Sequence, residues 1–584
     1  MSLPPDREIF EPRPSEGRSK VQELSQAVHR NVKPGMTVHL GGRANAAACE
    51  LIRQFWGSRP DFTVVAVFAV DRYIDLVGAN LVQKLLTANS YEYVPTAGPS
   101  KAVQAAYKEK RTGIESWSIL SLIQRLMAGA LDLGFMPTKS IRGSSMAKDN
   151  SDSFQEIEDP FTPGSTLGVL KALSPDISVV HGLAADEAGN TILAPDLFAT
   201  GEAEWGALAS RGGVVVTVEK IVSTDFIRKY SSLVRIPGYL VNSVTEVSLG
   251  AHPQGLWNLG MEGVEGYGPD YEFAETHRKA VGEGNLEGWL KEWVLDLPSH
   301  QDYLRKLGYA RLMRLKGGAA RDAWQHGLVT RERKPVTYDA TKMMVVAAAR
   351  QIIEKVRKND YDVVLGGAGV SALPPWMAYY LLKAEGREID LLQGCGLLGY
   401  APRPADPRIT SIGILPSTRM VTDSFHVYGV FMAGQCARSL GILGAGEIDK
   451  YGNINSTRTA EGGYLIGSGG ANDAVNAREV LVIGRQGKRR FVEKVPYITC
   501  PGTRVTTLVS SMGVFEKLGE DPEFTLTGYF AGSPPAKAED RVREIKENCG
   551  WELRVASQLE AIPPPTGEEM RLLGLLGPEG IFSE

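Results

Sequence analysis

The chain is poor in cysteine. It has five in 584 residues (Cys49, Cys395, Cys436, Cys500 and Cys549), an odd number with no Cys-x-x-Cys pair among them. That spacing argues against a disulfide framework and against a structural zinc site, so we expect no metal and a reduced, cytoplasmic setting. Charge of one sign is also lacking. Lys and Arg total 64 against 68 Asp and Glu, a formal net charge of −4, which leaves no basic footprint for nucleic acid. No apolar run approaches the roughly 20 residues that span a bilayer. The opening Met1-Ser2-Leu3-Pro4-Pro5-Asp6-Arg7-Glu8 lacks the basic-then-apolar order of a secretory signal. Neither a nucleic acid nor a membrane is an expected partner.

What is present is an ordinary globular composition, 43% hydrophobic and 23% charged, on a chain too long for one core. About 150 residues per domain implies two to four units. Residues 1–20 are rich in Pro and charge and read as an extended arm. A short amphipathic helix over 21–31 precedes a strand, Thr37-Val38-His39-Leu40, that runs into Gly41-Gly42, then a helix over 46–56. Residues 61–70 carry Val64, Val65, Val67 and Val70 and read as one long buried strand of the parallel kind. Ile119, Leu122, Ile123, Leu126, Met127 and Ala130 fall at helical spacing. A polar loop is expected over 144–165, followed by strands at 177–181 and 214–218. Residues 270–334 change to a helical texture rich in Trp, Arg, Lys and Glu. Alternation resumes with a helix over 343–356, a strand over 361–365 ending in Gly366-Gly367, and further strands at 480–483 and 505–510. Strands alternating with helices define an α/β chain with mainly parallel sheets.

Two patterns recur in the same order. A strand ending in Gly-Gly occurs at Leu40-Gly41-Gly42 and at Leu365-Gly366-Gly367. Asp-x-x-Gly-Asn occurs at Asp186–Asn190 and at Asp449–Asn453, each followed by a β-branched residue, Thr191 or Ile454. Two similar open α/β domains in one chain explain both recurrences; chance repetition of Gly-rich turns is the alternative.

The stretch with the most chemistry is Asp390-Leu391-Leu392-Gln393-Gly394-Cys395-Gly396. It reads as a buried strand ending in a thiol held between glycines, and open α/β sheets place ligands at such strand ends. The plain alternative is a buried cysteine in a tight turn. Gly467-Ser468-Gly469-Gly470-Ala471-Asn472-Asp473 offers successive backbone N–H groups suited to a phosphate or a thioester oxygen, with Asn472 and Asp473 able to cap a following helix. Glu115, Arg125, Lys139, Arg142 and Lys148 cluster around one helix and its loop. The cations suit a substrate carboxylate or phosphate and Glu115 a proton transfer, although a solvated helix face would look the same. Gly367-Ala368-Gly369-Val370-Ser371-Ala372 loosely fits a dinucleotide fingerprint, with Glu385 and Glu388 near the acidic position, but Pro374-Pro375 follows at once. His181 and His252 read as structural.

Together these pieces resemble the class I coenzyme A transferases, glutaconate CoA-transferase above all. Residues 33–42, 124–138, 172–190 and 250–253 resemble the family's α subunit, and residues 363–369, 444–456 and 467–473 its β subunit. The resemblance implies two fused, pseudo-duplicated CoA-transferase-like (NagB-like) halves: an α-like domain over 21–320, a linker over 321–336 and a β-like domain over 337–584. It implies a homo-oligomer, with coenzyme A entering as an acyl-CoA substrate. In the family a β-subunit glutamate attacks the thioester, and the matching position here is Gly394, so that nucleophile is expected to be missing. The motif of the first half also ends in Arg43, where an aromatic residue is common.

The reading that follows is an enzyme of this family acting on a carboxylated acyl-CoA, either by CoA transfer or, with the glutamate expected to be missing, by C–C hydrolysis or decarboxylation. Gly41, Gly42, Gly367, Gly369, Gly469, Gly470 and Asn472 are expected to line the CoA cleft. Cys395 is the expected nucleophile or acid/base, its pKa lowered by backbone N–H groups or a cation. Glu115 is the expected auxiliary base, and Arg125, Lys139 and Arg142 are the expected carboxylate holders. A non-catalytic CoA-binding scaffold and, below it, an NAD-dependent enzyme are the alternatives.

Overall fold

A computed structural model describes residues 5–14, 17–93, 97–196, 198–325, 338–403, 412–435, 437–532 and 537–577. Cys436, residues 326–336 of the expected linker and parts of the expected arm lie outside that range. Valine-rich segments separated by helix-length connections pair in parallel, because only a crossover returns the chain to the same end of a sheet. In the first, nine-stranded sheet the parallel strands lie in the order Val241–Glu246, Val214–Ile221, Ile177–Ala185, Thr37–Gly41, Phe62–Val65, Val82–Thr87 and Gly113–Ser116. Ile177–Ala185 is buried along its whole length. The second, ten-stranded sheet has Asp390–Gln393, Val363–Leu365, Ser439–Gly444, Glu479–Gly484 and Val505–Ser510 in parallel. Beyond these, Gly513–Lys517 pairs antiparallel with Val505–Ser510 and with Phe524–Phe530, and Arg554–Ile562 closes the edge in parallel. Among the described residues no helix is long and apolar enough to cross a membrane.

Each sheet reverses its strand order once, beside its first strand. A glycine marks the reversal both times. At Gly42, with φ of +62°, a Cβ would lie 2.3 Å from the His181 carbonyl oxygen of the strand across the switch. At Gly367 a Cβ would lie 2.7 Å from the Ile442 carbonyl oxygen of the corresponding strand. Only a residue without a side chain allows this approach.

The second recurrence is the same turn twice. Asn190 donates its backbone N–H and side-chain amide to the two oxygens of Asp186, both at 2.9 Å. Asn453 does the same to Asp449, both at 3.0 Å. Each asparagine Oδ1 then accepts a distant glycine N–H at 2.9 Å, from Gly238 and Gly502. Each turn glycine faces the valine that opens a later parallel strand: Gly189 faces Val241, and Gly452 faces Val505. The halves thus repeat at the level of individual hydrogen bonds.

Three expectations are corrected. The arm over 1–20 is not extended throughout, since Asp6–Phe10 is helical. The apolar run over 61–70 is not one strand but Phe62–Val65 and Phe68–Ala69, broken where the Val67 N–H turns to the Glu202 carboxylate at 2.7 Å. The segment 144–165 is not a loop. It holds a helix, Ser145–Asp149, and a strand, Phe154–Glu158, that joins Thr166–Lys171 and Phe135–Thr138 in an antiparallel three-stranded sheet.

Gly42→Ala tests the packing at the first switch. It combines a left-handed backbone with a collision against main chain, and should destabilise the folded chain by at least ~2 kcal/mol. Denaturant unfolding that shows no change would refute the close approach.

Candidate active site at the seam between the sheets

The Asp390–Gln393 strand ends in a tight turn in which Gly396 N–H donates to Gln393 O at 3.0 Å. Gly396, at φ of +109°, packs against the Thr422 carbonyl, so a side chain there has no room. The turn sits on the seam. Thr200 of the first half donates its N–H to Cys395 O at 3.3 Å, and Ser424 N–H returns to Thr200 O at 3.0 Å. Gly201 closes against Asp423 in the same place. Cys395 is 2% exposed. Burial pushes its thiol well up and Asp196 adds to the shift, while backbone N–H groups and Arg43 oppose it without outweighing it. The expected lowering is therefore overturned: the cost of burying a thiolate outweighs the donors that would stabilise it.

Arg43 and Asp196 come from the first half and act on the charge of Cys395 across the seam. The Arg43 guanidinium is buried, bonds Asp196 at 2.7 Å and stacks over Phe198 at 3.8 Å. Its other nitrogens hydrogen-bond no described residue. On the other side stands Tyr428, buried, from the irregular helix His426–Met432. Its hydroxyl would be 1.9 Å from a Cβ at Gly394 and 1.7 Å from one at Gly470. No sequence signal marks Tyr428 or Asp196. Arg43 stands out only as a departure from an aromatic.

The Gly467–Asp473 segment is a joint between the halves. Gly469 donates to Ala88 O at 2.9 Å and accepts the Ile119 N–H at 3.1 Å. Asp473 accepts the Leu120 N–H at 2.9 Å and the Ser140 hydroxyl at 2.5 Å. It therefore caps the first-half helix Ile119–Ala130 rather than its own short helix. Asn472 accepts the Ile141 N–H and donates to Thr499 O, each at 2.8 Å. These groups are engaged by protein. Burial lifts Asp473 to about 6.

The expected charged cluster is elsewhere and largely self-satisfied. Arg125 reaches Glu115 at 3.1 Å and Lys171 O at 3.0 Å, under the Trp117 ring at 4.4 Å. Glu115 also bonds Lys84 at 2.5 Å and the Trp117 N–H at 2.9 Å. Burial alone would raise Glu115, but Lys84 and Arg125 outweigh it and hold it below the usual carboxylate range. That suits a stabilising ion pair better than a base. Lys139 donates to Ala433 O at 3.0 Å across the seam, and Arg142 pairs with Glu156 at 2.9 Å on the surface. Gly41 packs against Ala203, and Gly369 faces open space. Pro374 and Pro375 fall in the first turn of the helix Leu373–Ala384, where they remove N–H groups that a pyrophosphate would need. His181 pairs with Glu219 at 2.8 Å and His252 with Asp270 at 3.1 Å, all buried.

Residues 21–247 match the Coenzyme A transferase family. The A-type component of 3-oxoadipate CoA-transferase from Pseudomonas knackmussii is 32% identical over 237 residues, 39% of this chain and 79% of its own length. The chain belongs to the coenzyme A transferase family. Both components of glutaconate CoA-transferase from Acidaminococcus fermentans are also similar. The A-type component is 27% identical over 51% of this chain and 95% of its own length, and the B-type component is 24% identical over 39% and 88%. The chain is thus a class I family member with A- and B-type parts fused. The fold of an acyl-CoA transferase from Escherichia coli O157:H7 spans 98% of this chain and 99% of that one, at 16% identity and a TM-score of 0.62.

Two outcomes are expected. A carboxylate whose folded pKa lies near 6, above the unfolded value near 4, stabilises most when protonated, and this contribution is lost as pH rises between those values. The Tm of the parent chain minus that of Asp473→Asn should therefore grow as pH falls from about 7 to about 5; a flat difference would contradict the assignment. Native Cys395 should react with iodoacetamide on the order of 10²-fold more slowly than in the unfolded chain, read by peptide mass spectrometry, because only thiolate reacts. Equal rates would mean an accessible, ionised thiol.

Proposed function

We propose that this chain cleaves a C–C bond in a carboxylated acyl-CoA thioester, by decarboxylation or hydrolysis, at the Gly394-Cys395-Gly396 turn between an α-like half (21–320) and a β-like half (337–584). The observation that carries the reading is the chemistry of that turn. It lies on the seam, and position 394 supplies no carboxylate to attack a thioester. The neighbouring thiol is held protonated by burial. Coenzyme A enters as part of the substrate, and both relatives' names carry dicarboxylic acids, glutaconate and 3-oxoadipate.

A protonated thiol is a poor nucleophile and a usable acid. Cleavage next to a thioester releases the other fragment, as CO2 in decarboxylation or as a carboxylic acid after addition of water in hydrolysis, and leaves an electron pair delocalised between carbon and the thioester oxygen. Cys395 would return a proton to that carbon and regain its own from solvent. Arg43, whose Asp196 pair leaves other nitrogens without a described partner, would hold the acyl carboxylate in the role expected of Arg125.

Incubation with dicarboxylyl-CoA esters and labelled acetate tests this reading. Substrate should be consumed without any acceptor acid, and no label should enter the thioester fraction. Label in the thioester would establish CoA transfer instead, and tight binding without turnover would favour a scaffold. Cys395→Ala should lower kcat about 10²–10⁴-fold, the usual share of a general acid.

A further inference from the structure

Tyr428 is the group at the seam that neither the repeat nor the joint accounts for. Its hydroxyl lies where a side chain at Gly394 would begin, and equally where one at Gly470 would begin, with the two hypothetical Cβ positions 1.9 and 1.7 Å away. The residue is 5% exposed and belongs to a π-helical segment, His426–Met432, a rare conformation frequent at functional sites. The hydroxyl hydrogen-bonds no other described residue. Yet it is not sealed from solvent, as the unpartnered Tyr464 hydroxyl is. A buried hydroxyl without a protein partner is costly unless something else accepts its hydrogen bond.

We propose that Tyr428 is a catalytic residue of this site: its phenol takes the space of any side chain at position 394 and donates a hydrogen bond to the substrate's thioester oxygen. The proposal rests on the acyl-CoA reading above and adds the group that stabilises the developing charge. As the C–C bond breaks, its electron pair spreads onto the thioester oxygen. The phenol O–H holds that oxygen without giving up its proton, and protonation at carbon withdraws the pair again. Burial, with the Asp473 carboxylate close by, opposes the phenolate, so Tyr428 remains a donor. The same geometry has a steric consequence. A glutamate at 394 cannot be seated unless the Tyr428 ring leaves, so glycine at 394 and tyrosine at 428 form one arrangement.

Two experiments on the full chain test this. Tyr428→Phe keeps the ring and removes the donor. Its kcat on the turned-over acyl-CoA should fall on the order of 10²–10³-fold, as for loss of one oxyanion donor, with acyl-CoA affinity by calorimetry held within about threefold. Undiminished kcat would overturn the role. Separately, Gly394→Glu and the double variant Gly394→Glu/Tyr428→Ala are incubated with acyl-CoA and weighed intact. A glutamyl–CoA thioester, formed with release of the free carboxylic acid, should accumulate in the double variant at least about tenfold over the single one. Equal occupancy, including none in either while both bind acyl-CoA, would overturn the steric exclusion. Failure of the parent chain to bind any acyl-CoA would instead sink the functional reading on which this one stands. Binding with a fully active Tyr428→Phe would sink only the proposal for Tyr428.

Discussion

The first turn of the helix Ile119–Ala130 is completed by the other half of the molecule. A helix start leaves backbone N–H groups without partners. Here Ser118 satisfies the Ser121 N–H locally, at 3.1 Å, while Gly469 and Asp473 of the second half take those of Ile119 and Leu120. Both residues are buried at this joint, so in the folded chain the second half, not water, supplies their partners. Further bonds run along the same line, from Ser90 to Ile466 and from Ser145 to Ile498, at 2.9 and 2.8 Å. Neither half closes its own hydrogen-bond inventory. That interdependence holds the 394–396 turn on the seam, where Thr200 of the first half donates to Cys395 O and Thr422 of the second donates to Gly396 O at 2.8 Å.

Glycine supplies the second constraint, in two distinct ways. At Gly42 and Gly367 it lets one strand end approach the carbonyl of the strand across a switch point, which is a requirement of the fold. At Gly394 and Gly470 it clears space that a side chain from elsewhere, Tyr428, then fills. Sequence alone cannot separate the two uses, because both appear as Gly within a loop after an apolar run. The difference lies in what stands opposite the missing Cβ: a strand carbonyl at Gly42, a strand carbonyl beside the Ser371 hydroxyl at Gly367, and a phenol at Gly394 and Gly470.

The legible parts are those encoded by local spacing. Alternation, the Gly-Gly strand ends and the paired Asp-x-x-Gly-Asn motifs each correspond to a structure formed within a few residues or by the same contact made twice. The illegible parts depend on long-range partners. Arg125 carries no mark of its bond to Glu115 or of the Trp117 ring above it, since these meet only when strand and helix pack. The place of Cys395 at a strand end beside donors is readable, but the sign of its pKa shift is set by how deeply the turn is covered. Asp473 reads as a cap. The helix it caps lies some 350 residues away in sequence, as the Leu120 bond shows. The segment 144–165 resembles a loop because its strand is polar on its exposed face, and short edge strands carry little apolar alternation.

These electrostatics constrain the chemistry open to the seam. Asp196 acts on Cys395, and Asp473 acts on Tyr428, so both carboxylates disfavour a new negative charge close by. Arg43 is already bonded to Asp196, which leaves its positive charge partly offset. On the acyl-CoA reading, an anion forming there gains most from neutral donors, because a neutral donor brings no counter-charge that must first be displaced. A thiol kept protonated and a phenol kept protonated are two such donors, and burial produces both states by the same mechanism. On the proposed acyl-CoA chemistry, a site arranged this way would favour a transient enolate over a covalent enzyme intermediate, because burial keeps the Cys395 thiol and the Tyr428 phenol neutral.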